Sequence, residues 1–438
     1  MFKRLSAGLL LIAGWVAAPS LAQNPFDSVQ KERARQMLKD LADGVRKYYY
    51  DPSYHGVDLN ARVKDADEQI RGATNLGQSF IAIESILDPL NDSHTFFNPP
   101  ARNVRREYGY EEQMVGDRCL VTAVRPDGPA SEKLMPGDEV VRWEGFSPTR
   151  NNLWKMTYAF NRLYGFPIQH LAVRSPDGAQ RSVEIAALEH REKRVLDLTS
   201  GGDIWQLIRE QENGDHLARQ RMASFSDKLM IWKMPEFDLT DEVVDGILKQ
   251  ARKYSVLVID LRGNPGGLVK TLQYIVGGVM DHDVTIAKRT GRKPNLKPLD
   301  AKARGSAFSG KLIVLVDSRS ASAAELLARV VQLEHRGTVL GDHSSGSVME
   351  ARYYPWQQGT DTQFFYGASI TDADLIMGDG KSLEHTGVVP DESILPSPED
   401  LAKGRDPVLS RAAQIAGLYL DPAKAGTLFP VEWRKDQQ

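Results

Sequence analysis

Apolar and polar positions change their period three times along the chain. From residue 24 to about 95, Val29, Met37, Leu38, Leu41 and Val45 recur at roughly helical spacing, with Ser28 placed to cap the first helix. A second such stretch runs from Ile83 to Leu90, and no strand alternation is present. Residues 24–107 are therefore expected to be a helical N-terminal region. Between residues 108 and 188, short β-type runs take over at Cys119–Val124 and Glu139–Trp143. A hairpin follows, with His170–Arg174 and Arg181–Ile185 joined across Ser175-Pro-Asp-Gly178. A helical patch lies between, near Leu153 to Leu163. Residues 189–227 are polar and predict a linker with some helix. From Lys228 the apolar runs are continuous: Leu229 to Met234, Val256 to Leu261, Leu312 to Val316, and the shorter Val339-Leu340. Continuous β-branched runs suggest strands buried on both faces. Helical stretches at Asp241–Arg252, Leu268–Met280 and Ala323–Val331 alternate with them, and Arg405–Leu420 predicts a closing helix. This rhythm implies a largely parallel α/β sheet over residues 228–438.

Composition narrows the function. The chain has 438 residues, 41% hydrophobic and 26% charged, with a net charge of −3. That is globular composition, sufficient for more than one domain, with no basic excess to grip nucleic acid. Cys119 is the only cysteine, which excludes an internal disulfide and a multi-cysteine zinc site. The start of the chain is different material. Lys3 and Arg4 precede an apolar run from Ala7 to Ala18, and Ser20-Leu21-Ala22 offers small residues where a signal peptidase reads. Residues 1–22 thus predict a secretory signal peptide and a periplasmic or secreted protein. The run is too short for a membrane span, which needs ~20 residues.

Gly380-Lys381-Ser382 resembles the end of a phosphate-binding loop, but position 375 is Leu where that motif needs Gly. No Gly-x-Ser-x-Gly elbow and no His-Glu-x-x-His helix is present, and the nine histidines are scattered. Ser322, in Val316-Asp-Ser-Arg-Ser-Ala-Ser-Ala-Ala-Glu325, falls at a strand-to-helix junction. Unpaired N–H groups and a partial positive charge there stabilise an anion, and the Ala323 N–H is placed to be an oxyanion donor. A serine at that place is equally a helix cap. Asp260-Leu-Arg-Gly-Asn-Pro-Gly-Gly267 follows another buried strand, and its glycines allow close backbone approach to a ligand or simply a tight turn. Asp92-Ser93-His94-Thr95 holds a candidate base or a structural histidine. Glu384, in Glu384-His-Thr-Gly-Val-Val-Pro-Asp391, is a candidate orienting acid or a surface acid.

Together these segments resemble the C-terminal-processing and tricorn-type serine peptidases, from about residue 30 to 395 and in the same order. Ser320–Glu325 matches the hallmark Ser-Ala-Ser-Ala-x-Glu, Leu261–Gly267 the Leu-Arg-x-Asn-x-Gly-Gly loop, and Glu384–Asp391 the Glu-x-x-Gly-Val-x-Pro-Asp ending. Residues 108–188 resemble a PDZ domain. The resemblance implies a multidomain α/β protein: a helical N-terminal region, a β-rich PDZ-like module and a ClpP/crotonase-like catalytic core. The Ser/Lys branch of the family carries its lysine in a Gly-Lys-Gly loop, and here position 347 is Ser. The tricorn-like branch takes its base from an upstream Ser-His pair. The resemblance thus implies a Ser93/His94/Ser322/Glu384 tetrad, with Gly266 and Ala323 at the oxyanion and no cofactor or metal. His343 and His385 are rival bases. The expected partners are polypeptide substrates, engaged in part by the PDZ-like module. A non-catalytic peptide-binding protein that retains the fold is the alternative.

Overall fold

The computed structural model describes residues 26–102, 104–191, 217–359 and 363–434. The expected signal peptide lies outside these residues, as does most of the expected linker.

Three helices, Ser28–Tyr48, Leu59–Gly72 and Leu76–Glu84, form the N-terminal region. Each begins at a side-chain oxygen that accepts from the first turn: Asp27 from Gln30 N–H, Asp58 from Ala61 N–H and Asn75 from Gln78 N–H. The first cap is Asp27, one residue before the expected Ser28, because its carboxylate reaches the free N–H. The region then ends in an unexpected strand, Phe96–Asn98. Its apolar signal is only two residues long, too short to show alternation.

Residues 110–186 fold as a five-stranded antiparallel sheet in the order Tyr110–Val115, Arg118–Val124, Glu139–Trp143, Ile168–Arg174, Gln180–Ala186. The expected helical patch is present as Leu153–Thr157, continuing as a wider turn to Tyr164. Tyr110–Val115 was not expected as a strand, since Glu111-Glu-Gln113 interrupts its apolar pattern. It forms one edge of the sheet. Strands also occupy both ends of the expected linker. Leu188–Arg191 pairs with Val104–Glu107, and Arg221–Phe225 extends the core sheet.

The core sheet has six strands in the order Glu392–Ser393, Gly337–Gly341, Lys311–Val316, Val256–Asp260, Leu229–Lys233, Arg221–Phe225. All pair in parallel except the last. The continuous apolar runs are explained by two cores. Leu257 and Ile259 face the helices Asp241–Ala251, Val269–Val279 and Ala323–Leu333, while Val256 and Val258 face Pro407–Ile415. With period-two side chains, both alternations must be apolar. Each such burial contributes about 1.5–3 kcal/mol.

A second sheet positions the site. A long hairpin, Met349–Gln358 with Phe364–Ile376, accepts Phe96–Asn98 as an antiparallel neighbour, with Phe97 opposite Ala368. This pairing brings the N-terminal region onto the core. No helix among the described residues is long and apolar enough to cross a membrane.

Candidate active site

Ser322 stands where the Lys311–Val316 strand turns into the Ala323–Leu333 helix. The turn is tied by local bonds. Ser320 Oγ donates to Leu261 O (2.8 Å) and accepts from Asp317 N–H (2.9 Å). Ala321 N–H donates to Asn264 O (2.9 Å). Ser322 itself adopts φ 54°, ψ −118°, a strained backbone that costs about 1–3 kcal/mol and persists only where the surroundings over-determine it. Its N–H donates to Ser347 O (2.8 Å) and to Glu325 Oε2 (3.1 Å).

Glu325 is a fully buried carboxylate that ties this turn to the 344–347 loop. It accepts from Ser344 Oγ (2.6 Å), Gly346 N–H (2.8 Å) and Ser347 N–H (2.9 Å) as well as from Ser322 N–H. Burial pushes its carboxyl up to about 7 against these donors. Position 347, where a lysine would stand in the Ser/Lys branch, is thereby an anchor of the nucleophile's backbone.

His94 arrives from 228 residues upstream of Ser322. Asp92 Oδ1 accepts from the N–H groups of His94 (2.8 Å) and Thr95 (3.0 Å) and from the Thr371 hydroxyl (2.8 Å). The Thr95 hydroxyl donates to Thr371 Oγ1 (3.1 Å) and accepts from its N–H (3.0 Å). The hairpin strand thus holds the turn that carries His94.

Four side chains then form a relay. His94 Nε2 lies 3.3 Å from Ser322 Oγ, and His94 Nδ1 lies 2.8 Å from Ser93 Oγ. Ser93 Oγ donates to Glu384 Oε2 at 2.8 Å. A hydroxyl has one proton. With it given to the carboxylate, Ser93 Oγ accepts from Nδ1–H, which leaves the Nε2 lone pair facing Ser322. Glu384 is held by Ser93 N–H and Val348 N–H, both at 2.8 Å. Burial depresses the His94 pKa below its usual 6.5, with Asp92 pulling the other way. The imidazole is therefore neutral at neutral pH. Burial raises the Glu384 carboxyl, and its two backbone donors oppose that.

At the expected oxyanion position, the two residues differ. The Ala323 N–H opens the helix beside Ser322. The Gly266 N–H is given to Asn264 Oδ1 (2.8 Å), and the next N–H of the expected loop is that of Gly267. Gly266 serves by its lack of a side chain. At φ +98° a Cβ there would sit 2.7 Å from Ser322 Cβ and 3.0 Å from Ala323 N.

Of the rival bases, His385 Nε2 is 2.6 Å from Asn91 O and 3.6 Å from Glu384 Oε1, and the His343 carbonyl accepts from Arg150. Asp342 accepts from Arg150 (2.6 Å) and Gly116 N–H (2.9 Å), which locks residues 110–186 onto the core. Asp92, Glu325 and Thr371 are the supporting residues that sequence reasoning left without roles. Asp92 carries a local signal, since an Asp two residues before a constrained residue favours a side-chain-to-backbone turn. Thr371 carries none. Among the described residues no cluster of His, Cys, Asp and Glu is arranged to hold a metal.

Residues 228–394 match the model of peptidase family S41. The wider chain is similar to the tail-specific protease of Haemophilus influenzae, 22% identical over 55% of this chain and 33% of that protein. It is also similar to putative tricorn protease homolog 2 of Streptomyces coelicolor, 27% identical over 87% of this chain and 32% of that protein. The chain thus spans about a third of the length of these relatives. The fold is shared with mature CPAF, at a TM-score of 0.63 and 15% identity, over 86% of this chain and 95% of that one. In the S41 region stand the nucleophile turn, the Gly266 loop and Glu384, whereas Ser93 and His94 come from outside it.

Proposed function

We propose that the chain is an exported serine endopeptidase of the tricorn-like type. In this reading residues 1–22 direct export, residues 108–188 are a PDZ-like module that engages polypeptide substrates, and residues 228–438 are the ClpP/crotonase-like core. The observation that carries the reading is the continuous relay Glu384–Ser93–His94–Ser322.

The roles follow from the donors and acceptors. A serine hydroxyl is a poor nucleophile at its own pKa and needs a base within reach. His94 Nε2 takes the Ser322 proton as Oγ attacks the scissile carbonyl carbon. The carbonyl oxygen becomes an oxyanion beside the N–H groups of Ala323 and Gly267. Protonated His94 then donates to the leaving amine as the C–N bond breaks, leaving the acyl-enzyme. Water attacks that ester with His94 again as base, releasing the acid and restoring Ser322. Ser93 and Glu384 hold the imidazole's tautomer and offset its charge. Losing one oxyanion donor typically costs ~2.7–4 kcal/mol of barrier.

The second reading is a non-catalytic peptide-binding protein. The strained φ of Ser322 counts against it, since binding alone gives no return for that strain. A fluorophosphonate probe separates the two. Labelling mapped to Ser322, lost in His94→Ala and kept in His343→Ala, is the expected result. A folded protein that takes no label at Ser322 would establish the binding role instead.

A further inference from the structure

A cavity of about 750 Å³ lies between the five-stranded module and the core. Its walls are the edge strand Tyr110–Val115, the Leu153–Thr157 helix and the core segments that carry Ser318 and Ser344. It therefore runs from the edge strand of a sheet, whose Met114 O accepts from Ser318 Oγ, to the loop that anchors Ser322. An extended chain laid along such an edge gains backbone hydrogen bonds, and its side chains fall into the adjoining groove.

The charged lining of this cavity is Glu111, Glu112, Arg150, Arg162 and Arg319. Arg319 is paired with Glu111 at 2.7 Å, and Arg150 with Asp342 at 2.6 Å. Glu112 points to the same groove but forms no ion pair among the described residues. Its carboxylate accepts from the Thr157 hydroxyl at 3.4 Å. Burial lifts the Glu112 carboxyl to about 7, with the nearby Arg319, itself paired to Glu111, the chief influence against it. An acid so placed is relieved by an incoming cation. A smaller cavity of about 270 Å³ shares Tyr110, Glu112 and Asn161 with the first, and the chain's own Trp433 and Arg434 border it. An aromatic-basic pair therefore already lines the groove's far end.

We infer that this groove selects polypeptides by a lysine or arginine side chain seated against Glu112, making Glu112 a specificity-determining residue. This rests on the reading that the module engages substrates.

The test uses the full chain carrying Ser322→Ala, so that bound peptide is not cut. Fluorescein-labelled, alanine-rich peptides with Lys, Ala or Glu scanned through their central positions are titrated by fluorescence anisotropy. The expected result is about tenfold tighter binding for Lys over Ala at one register. That preference is lost in Glu112→Gln, kept in Glu111→Gln, and turned toward Glu peptides in Glu112→Lys. Equal binding of Lys and Ala peptides, or a preference that survives Glu112→Gln, would overturn the inference. Labelling of Ser322 in the parent chain, read in parallel, separates the two levels. Labelling without lysine preference overturns this inference alone, and absence of both labelling and peptide binding overturns the peptidase reading with it.

Discussion

The turn that carries Ser322 and the turn that carries His94 meet at 3.3 Å, yet they are built in opposite ways. The nucleophile turn is largely self-contained within the core. Its strand, its helix and its ties to Leu261 and Asn264 all belong to one parallel α/β unit, and Gly266 gives it room. The base turn has only one local tie, Asp92 to its own following N–H groups. Its other holders, Thr371 and Glu384, are nearly 300 residues away in the chain. Ser322 is thus made rigid by short loops, whereas the placing of His94 depends on two sheets being assembled against each other.

That contrast sets the order of expected effects. Gly266→Ala strikes the self-contained side hardest, since the new Cβ meets backbone and Ser322 Cβ at a left-handed φ. Loss of labelling is expected with a stability loss of about 2–4 kcal/mol, read by urea denaturation. A fully active Gly266→Ala protein would break the comparison. On the base side, Ser93→Ala removes the link between Nδ1 and Glu384. It should lower kcat/KM by roughly 10²–10⁴ with KM little changed, because tautomer control acts in the transition state. Thr371→Val cuts the hairpin's hold on Asp92, and about 1 kcal/mol of stability with a smaller fall in kcat is expected. An equal fall from Thr371→Val and Ser93→Ala would mean that the hairpin, rather than the relay, governs the base.

A pH dependence tests the join between the two turns. Glu325 has a folded pKa of about 7 against an ordinary 4.5, so the folded state holds the proton longer than the unfolded chain. Its contribution to stability is complete below about pH 4.5 and is lost as pH rises through 7, by ~3 kcal/mol at most. Thermal melts should show this decline between pH 5 and 8, and Glu325→Gln should flatten it. On the catalytic side, His94 must be neutral, and its depressed pKa places the acid limb of the pH–rate profile below 6.5.

Much of the core was legible in the sequence for a physical reason. Val256–Leu261 and Leu312–Val316 are apolar at every position because each alternate face meets a different cluster. Asp27 in place of Ser28 as the first cap shows the ordinary slip of one residue where two good caps adjoin. The strand Tyr110–Val115 stayed hidden because Glu111 and Glu112 face a groove and an ion pair instead of an apolar core. The long hairpin at residues 349–376 also stayed hidden, since one of its strands has a single fully buried position and no clean alternation of buried and exposed residues.

By itself, then, the sequence determined the parallel core, the strand-to-helix place of Ser322 and the absence of a lysine at position 347. Those follow from side-chain period and local turn chemistry, which act over a few residues. Only the tertiary structure decided that Asp92 and Thr371 hold His94, that Gly266 gives its N–H to Asn264 and leaves room beside Ser322, and that Glu325 joins the Ser322 turn to the 344–347 loop. Such contacts cost loop closure and desolvation that no local pattern records, and they exist only once both sheets are in place.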